Sequence, residues 1–197
     1  MPRRAASLWS WAPALLLVAS VASAAAQSAP GRLEYRVLAT MRTSTMEKEL
    51  NDAAEVGFRF RAVMGGETTF GGKEVVVVMS KDEAKRRYAY RLLATTRTST
   101  MQRELQQAAD AGYHYRGQTV FKTAFGGDEV VVILERDEEA GTTAFEYRLF
   151  ATARTSTLQK ELGDAGAAGY EVIGLTVGTT AIGGNELVAI ARKPQGP

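Results

Sequence analysis

Apolar and polar positions repeat in the same order three times along the chain. An alternating stretch at 33–41 predicts a β-strand, and a second alternating stretch begins at Phe58. The run Val75-Val76-Val77-Val78 is continuously β-branched, which predicts a strand buried on both faces. Between the first two strands, apolar residues recur at helical spacing: Met46, Leu50, Ala53 and Ala54. The first unit therefore reads β-α-β-β, and the next two follow the same order.

Short motifs recur at fixed places in the three units. The sequence Arg-Thr-Ser-Thr begins at Arg42, Arg97 and Arg154, which are 55 and then 57 residues apart. The spacing from Tyr-Arg to the glycine after the helix, and from there to the Gly-Gly pair, is the same in all three units, so the two additional residues fall in the connector Glu135–Glu146. Connectors tolerate insertions better than packed units do. A Gly-Gly pair late in each unit predicts a turn. Each helix is followed by a glycine, as expected at a left-handed helix C-terminus. These glycines are Gly57, Gly112 and Gly169.

The order of the elements predicts the arrangement of each sheet. A right-handed crossover through the helix makes the first two strands parallel, and the third strand returns antiparallel. The most apolar strand belongs in the middle, which gives the order 1-3-2. Since a unit of about 50 residues buries too little surface to be stable alone, the units should pack on one another. We expect an α+β fold of three tandem β-α-β-β repeats, at 33–82, 88–138 and 145–193, packed as one pseudo-threefold domain. Whether they close into a ring stays open.

The first 26 residues have the pattern of a secretory signal peptide. Arg3 and Arg4 precede an apolar stretch at 11–21, which is shorter than the roughly 20 residues of a membrane span. Two alternative cleavage sites of the small-x-small type follow, Ala22-Ser23-Ala24 and Ala24-Ala25-Ala26. The sequence therefore predicts a periplasmic or secreted protein.

Composition narrows the possible partners. The whole chain has 24 Lys+Arg and 22 Asp+Glu, and removing residues 1–26 leaves 22 of each. This balance favours neither nucleic acid nor an anionic membrane surface as a partner. The chain has no cysteine, so an exported form has no disulfides and must rely on its apolar core.

The third unit resembles a family of small bacterial β-α-β-β domains of unknown function. The resemblance rests on Tyr147-Arg148, on Leu158-Gln159-Lys160-Glu161-Leu162 and on Gly169-Tyr170-Glu171-Val172, which is similar to the Gly-Trp-Glu-(Leu/Val) step of that family. Units 1 and 2 depart from it at Phe58-Arg59-Phe60 and Tyr113-His114-Tyr115. The family implies no activity. The strand order is also similar to that of dodecin-like flavin-binding modules, but both tryptophans lie in the predicted signal peptide, so no cofactor is expected.

The Arg-Thr-Ser-Thr motifs are the candidate ligand site. Free amides at a helix N-terminus, hydroxyls and an arginine would together bind an anion. Alternatively, Ser44 caps the helix with Glu47, while Arg42 pairs with Glu74, and Arg97 and Arg154 pair likewise with Glu129 and Glu186. The candidate residues are Arg42, Thr43, Ser44, Arg97, Thr98, Ser99, Arg154, Thr155 and Ser156.

Other motifs point to no chemistry. Gly72-Lys73 is followed by Glu74, so the phosphate-loop pattern fails, and the single histidine, His114, has no accompanying metal-ligand motif. We therefore expect a non-catalytic structural or protein-binding module, with an unknown protein partner and possible oligomers. The alternative is a periplasmic binder of a small anionic ligand. An enzyme is the third hypothesis, because no general base or metal set converges.

Overall fold

Nine strands and three helices occupy the residues that the computed structural model describes, which are 33–67, 73–81, 86–95, 98–122, 128–141, 143–179 and 185–196. Unit 1 contains β1 (Tyr35–Thr40), α1 (Thr43–Glu55), β2 (Phe58–Glu67) and β3 (Lys73–Lys81). Unit 2 contains β4 (Tyr88–Thr95), α2 (Thr98–Asp110), β5 (His114–Lys122) and β6 (Asp128–Asp137). Unit 3 contains β7 (Phe145–Thr152), α3 (Thr155–Ala167), β8 (Glu171–Thr179) and β9 (Asn185–Pro194). The predicted signal peptide, the Gly-Gly pairs and Arg97 lie outside the described residues.

Each unit forms its own antiparallel sheet of three strands. The strand orders are β1-β3-β2, β4-β6-β5 and β7-β9-β8, so the predicted α+β fold with the order 1-3-2 is confirmed. From Leu33 onward the chain forms one compact unit, as expected for three packed repeats. The second strand of each unit carries one register shift against the central strand, and the shifts lie at Phe60/Ala62, Tyr115/Gly117 and Val172/Gly174.

The sequence predicts the C-terminal ends of the helices correctly but not their N-terminal caps. The predicted glycines follow the helices with positive φ angles of 87°, 83° and 85°. At the N-terminus, however, the cap residue of α1 is Arg42, with extended φ −136° and ψ 126° and no side-chain cap bond. Its carbonyl accepts the first helical bond from Met46 at 3.1 Å. The predicted Ser44–Glu47 capping box is therefore wrong, and Ser44 lies in the first turn.

Two of the three hydrophobic cores of the described residues lie between units. The first core joins the inner face of sheet 1 and α1 to the next sheet, and its unit 2 members are Tyr88, Tyr90, Val131 and Ile133. The second core joins unit 2 to unit 3 through Tyr147, Val188 and Ile190 in the same way. The third core contains residues of unit 3 alone: Ala165, Tyr170, Ala191 and the partly buried Phe150. The sheets of units 2 and 3 are thus each buried on their second face by the preceding unit.

The central strands show the consequence of this order. In β6 the whole run from Val130 to Leu134 is buried, as a strand covered on both faces should be. In β3, by contrast, Val75 and Val77 are buried but Val76 and Val78 are only half-buried. The expectation that the β3 run is buried on both faces is therefore wrong, because no element among the described residues covers the second face of sheet 1.

Helix side chains hold the first strand of the next unit. The Asn51 side chain accepts a hydrogen bond from the Tyr90 N–H at 2.8 Å and donates one to the Tyr90 carbonyl at 3.0 Å. The Glu47 carboxylate accepts the Leu92 N–H at 2.8 Å. These contacts satisfy the backbone of an edge strand that has no ladder partner on that side. We call them the edge clamp of α1 on β4.

The same edge clamp recurs between α2 and β7. Gln102 accepts the Leu149 N–H at 2.6 Å and donates to the Tyr147 carbonyl at 2.9 Å. Gln106 accepts the Tyr147 N–H at 3.0 Å and donates to the Phe145 carbonyl at 3.1 Å. The interface between units 1 and 2 is therefore repeated between units 2 and 3.

The three units form an open row within the described residues. Strand β2 packs on β5, β5 packs on β8, and the helices α1 and α2 pack on β4 and β7. Among the described elements, none of unit 3 has a comparable contact with unit 1. In agreement, the side chain of Tyr35 is 59% exposed, whereas its counterparts Tyr90 and Tyr147 are each 3% exposed.

Replacing Asn51 by Ala should lower the free energy of unfolding by about 1–2 kcal/mol, because two backbone groups of Tyr90 lose their partner. Urea denaturation followed by circular dichroism measures this change. Asp52→Ala is the matched control, since Asp52 lies on the exposed side of the same helix and, among the described residues, pairs with Lys48 of that helix. An equal loss in both variants would contradict the edge clamp.

Candidate functional site

The Arg-Thr-Ser-Thr motifs lie at the helix N-termini, as the sequence predicts. Thr43 and Ser44 begin α1, Thr98 and Ser99 begin α2, and Thr155 and Ser156 begin α3. Arg42 and Arg154 are exposed residues directly before their helices, while Arg97 and the side chain of Thr98 lie outside the described residues. The three motifs sit in different units and do not converge on one another.

The predicted arginine–glutamate pairs do not form where the structure describes them. The register places Thr40 opposite Val75 and Thr152 opposite Leu187, so the backbones approach as expected. Within the described part of the chain, however, neither Arg42 nor Arg154 has a carboxylate within ion-pair distance. Strands β1 and β7 end at Thr40 and Thr152, two residues before each arginine, so the ladder does not hold the arginine opposite its predicted partner. Arg97 lies outside the described residues, so its predicted pair with Glu129 stays a prediction.

Two open clefts lie beside these helix ends. The first has a volume of about 390 Å³ and is bordered by Ser44 and Glu47 of α1, Arg91 of β4 and Glu104 of α2. The second, of about 330 Å³, is bordered by Ser99, Gln102 and Glu161, with Leu149, Phe150 and Ala151 of β7. Each cleft receives a carboxylate from the following helix. That charge opposes an anion inside the cleft, although the helix ends remain exposed.

A buried ionic cluster joins units 1 and 2. The side chain of Glu135 in β6 is fully buried, and the Arg59 guanidinium of β2 donates to its Oε1 at 2.9 Å. The Tyr90 hydroxyl donates to Oε2 at 2.8 Å, and Arg116 of β5 also bonds Oε1. The same Tyr90 hydroxyl accepts the Phe60 N–H at 2.8 Å. Four strands from two units therefore meet at one carboxylate.

The sequence did not point to this cluster. Glu135 was expected in the connector, but β6 continues to Asp137, so the residue lies inside the sheet. The cluster occurs once, because Ser80 and Arg192 occupy the positions equivalent to Glu135 in units 1 and 3. Burial, followed by the charge of Glu135, raises the pKa of Tyr90, so its hydroxyl keeps its proton and holds the carboxylate. Removing one partner of a buried ionic group leaves an unpaired buried charge, so this cluster couples the packing of unit 1 to that of unit 2.

His114 occupies the corresponding place between units 2 and 3. Its ring packs edge-on against Phe145, with centroids 5.3 Å apart, and its Nδ1 is buried without a hydrogen-bond partner. Burial, followed by the charges of Arg116 and Arg192, lowers the pKa of His114 below its ordinary value of 6.5, against a smaller opposing effect of Glu135. Burial also raises the pKa of Tyr115 to about 12. His114 is therefore held neutral at an interface.

Comparisons of the chain with known protein families, with curated proteins and with solved structures give no match. In the part of the chain that the structure describes, no group of three or more His, Cys, Asp or Glu side chains is placed to hold a metal ion. No helix among the described residues has the length and apolar character needed to cross a membrane.

The neutral state of His114 makes stability depend on pH. A lowered pKa means that the unfolded chain takes up a proton near pH 6.5, whereas the folded chain takes it up only at a lower pH, so stability falls as the pH drops through this range. Between pH 7.5 and 5.5 we expect the free energy of unfolding to fall less in His114→Phe than in the unsubstituted chain. Urea denaturation at both pH values measures this difference.

The chain has only one histidine, so a proton NMR titration reads its pKa without assignment. A pKa at or above 6.5 in the folded chain would contradict the burial described here.

Proposed function

We propose that the chain is an exported, non-catalytic structural or protein-binding module that acts through two apolar faces at the ends of its row of units. The observation that carries this proposal is the exposure of side chains whose counterparts are buried between units. The leading face belongs to unit 1 and comprises Tyr35, Val37, Ala62, Met64, Val76 and Val78. The trailing face belongs to unit 3 and comprises Val172, Leu175 and Val177 of β8 beside α3.

The exposure of these faces is large. Val37 is 62% exposed and Leu175 is 60% exposed, and both lie in the middle of strands. Contiguous apolar surface of this kind is typical of protein–protein interaction sites. Fully burying one such side chain is worth roughly 1.5–3 kcal/mol, so a partner covering either face gains substantial binding energy.

The use of the recurring polar residues supports a structural role. The polar side chains that recur at one place on α1 and α2 bind the edge strand of the next unit: Glu47, Asn51, Gln102 and Gln106. Glu135 is fully buried, and each of its oxygens accepts a hydrogen bond. These polar groups already form hydrogen bonds between units, so they are not available to a substrate. This favours a structural or protein-binding module over an enzyme.

Export to the periplasm or the medium is part of the proposal and rests on the sequence pattern of residues 1–26. We include in it a relationship of each unit to the small bacterial β-α-β-β domains that unit 3 resembles. Neither element alters the two apolar faces on which the binding role depends.

Anion binding at the helix N-termini is a second candidate. The first-turn residues of α1 and α3 lack a side-chain cap bond, and Arg42 and Arg154 form no ion pair among the described residues, which favours this candidate. The carboxylates of Glu47 and Glu104 in the adjacent cleft oppose it. We therefore propose protein binding at the two apolar faces ahead of anion binding at the helix N-termini.

A photo-crosslinking amino acid placed at position 37 or 175 of the full chain, made in an exporting bacterium, should give adducts with protein. Position 56 is the matched control, because Val56 is 50% exposed but directly follows α1 and belongs to neither face. Denaturing gel electrophoresis and mass spectrometry of the adducts provide the readout, and the intact mass shows whether residues 1–26 are removed.

Three results would contradict parts of this proposal. Adduct yields at 37 and 175 no higher than at 56 would contradict the binding role, and retained residues 1–26 would contradict export. Phosphate-dependent thermal stabilisation that is lost in the triple variant Arg42→Ala, Arg97→Ala and Arg154→Ala, in a chain without adducts, would favour the anion binder instead.

A further inference from the structure

The leading and trailing faces are the two halves of one interface that the chain already forms twice. Between units 1 and 2, and again between units 2 and 3, a trailing face covers the leading face of the next unit. We infer that the trailing face of one chain binds the leading face of a second copy, head to tail. This inference rests on the proposed function and names its partner.

The apolar positions of the free leading face match those buried inside the chain. Tyr35 and Val37 correspond to Tyr90 and Leu92, and Val76 and Val78 correspond to Val131 and Ile133. Val131 and Ile133 are fully buried under unit 1. Unit 1 thus keeps the residue types of a covered sheet, although none of the residues that the structure describes covers it.

The sizes of the facing residues are complementary across the free ends. At the first interface Gly117 lies under Phe60 and Val63, so closely that a Cβ atom on it would be 3.1 Å from either side chain. The equivalent residue on the leading face is Ala62. The trailing face presents Val172 in the place of Phe60, and the smaller valine leaves room for the alanine methyl group.

A hydrogen bond is also available at the same place. The Tyr90 hydroxyl accepts the Phe60 N–H at 2.8 Å, and the Tyr147 hydroxyl accepts the Tyr115 N–H at 3.1 Å. Both N–H groups lie at the register shift of the preceding unit. Unit 1 keeps this tyrosine as Tyr35, which can accept the N–H at the register shift of a second copy.

The charges at the free ends are opposite in sign. At the first interface Arg59 of the trailing side meets Glu135 of the leading side at 2.9 Å. At the free ends the trailing side carries Glu171 in place of Arg59, and the leading side carries Arg61, which holds Ser80 Oγ at 2.5 Å. Glu171 and Arg61 are both exposed, and a head-to-tail contact brings them together. The acidic residue is now on the trailing side and the basic residue on the leading side, but the two charges still attract each other.

One part of the edge clamp is missing from the free trailing face. Gly163 of α3 occupies the position of Asn51 and Gln106, while Gln159 keeps the position of Glu47 and Gln102. A second copy therefore gains fewer hydrogen bonds on β1 than β4 gains from α1. We expect the contact between copies to be weaker than the contacts between units and to depend on concentration.

The test is sedimentation velocity of the mature chain and two blocked variants. Val37→Arg blocks only the leading face and Leu175→Arg blocks only the trailing face, so each variant should stay monomeric at concentrations where the unsubstituted chain associates. Mixing the two leaves one intact leading face and one intact trailing face. The equimolar mixture should therefore form a 1:1 complex and nothing larger. Val56→Arg is the control and should associate like the unsubstituted chain.

A charge exchange tests the same contact without placing arginine on an apolar face. Glu171→Arg should weaken association, and adding Arg61→Glu in the same chain should restore it. A mixture of the blocked variants that stays monomeric would overturn the head-to-tail contact, as would an unsubstituted chain that is monomeric at every concentration. Crosslinks from position 37 to another protein in such a monomeric chain would leave the binding role standing and the self-association wrong.

Discussion

The structure depends on the need of each small sheet to cover both of its faces. One helix of 13 residues covers one face of three strands, and the other face must find a neighbour. The chain meets this constraint by repetition, so that the helix and second strand of each unit cover the next sheet. The two interior cores therefore contain residues of two units each, while the last contains residues of unit 3 only. Stability is shared between neighbours, as in other repeat proteins.

An open row of such units necessarily leaves two unlike ends. Within the described part of the chain, unit 1 covers the next sheet but is itself uncovered, and unit 3 is covered but covers no further sheet. Hydrophobic side chains persist at both ends, and the polar edge clamp persists only in part, since α3 has Gly163 where the other helices carry an amide. A terminal repeat that only caps the row would carry polar or charged residues on its outer face instead of apolar ones. The chain retains them, which is the physical basis of the binding role proposed for it.

The repeat spacing predicted the units, the strand order and the helix ends at Gly57, Gly112 and Gly169. The spacing did not predict which side chains of one unit contact the next unit. The Glu47 carboxylate looked like part of a capping box, but it bonds the Leu92 N–H, a partner 45 residues away. Glu135 differs in chemical type from its equivalents in the other two units, Ser80 and Arg192. Only a comparison of these equivalent positions would have drawn attention to it. Local patterns determine local structure, whereas these residues take their roles from contacts between units.

Amide hydrogen exchange of three equivalent residues, measured at a low and a high protein concentration, tests this account most directly. The N–H groups of Leu92 and Leu149 are bonded by the preceding helix, so both should exchange slowly at either concentration. The N–H of Val37 should exchange fast in the dilute chain and slowly in the concentrated one, where a second copy covers it. Exchange at Leu92 as fast as at Val37 in the dilute chain would contradict the claim that each unit covers the next.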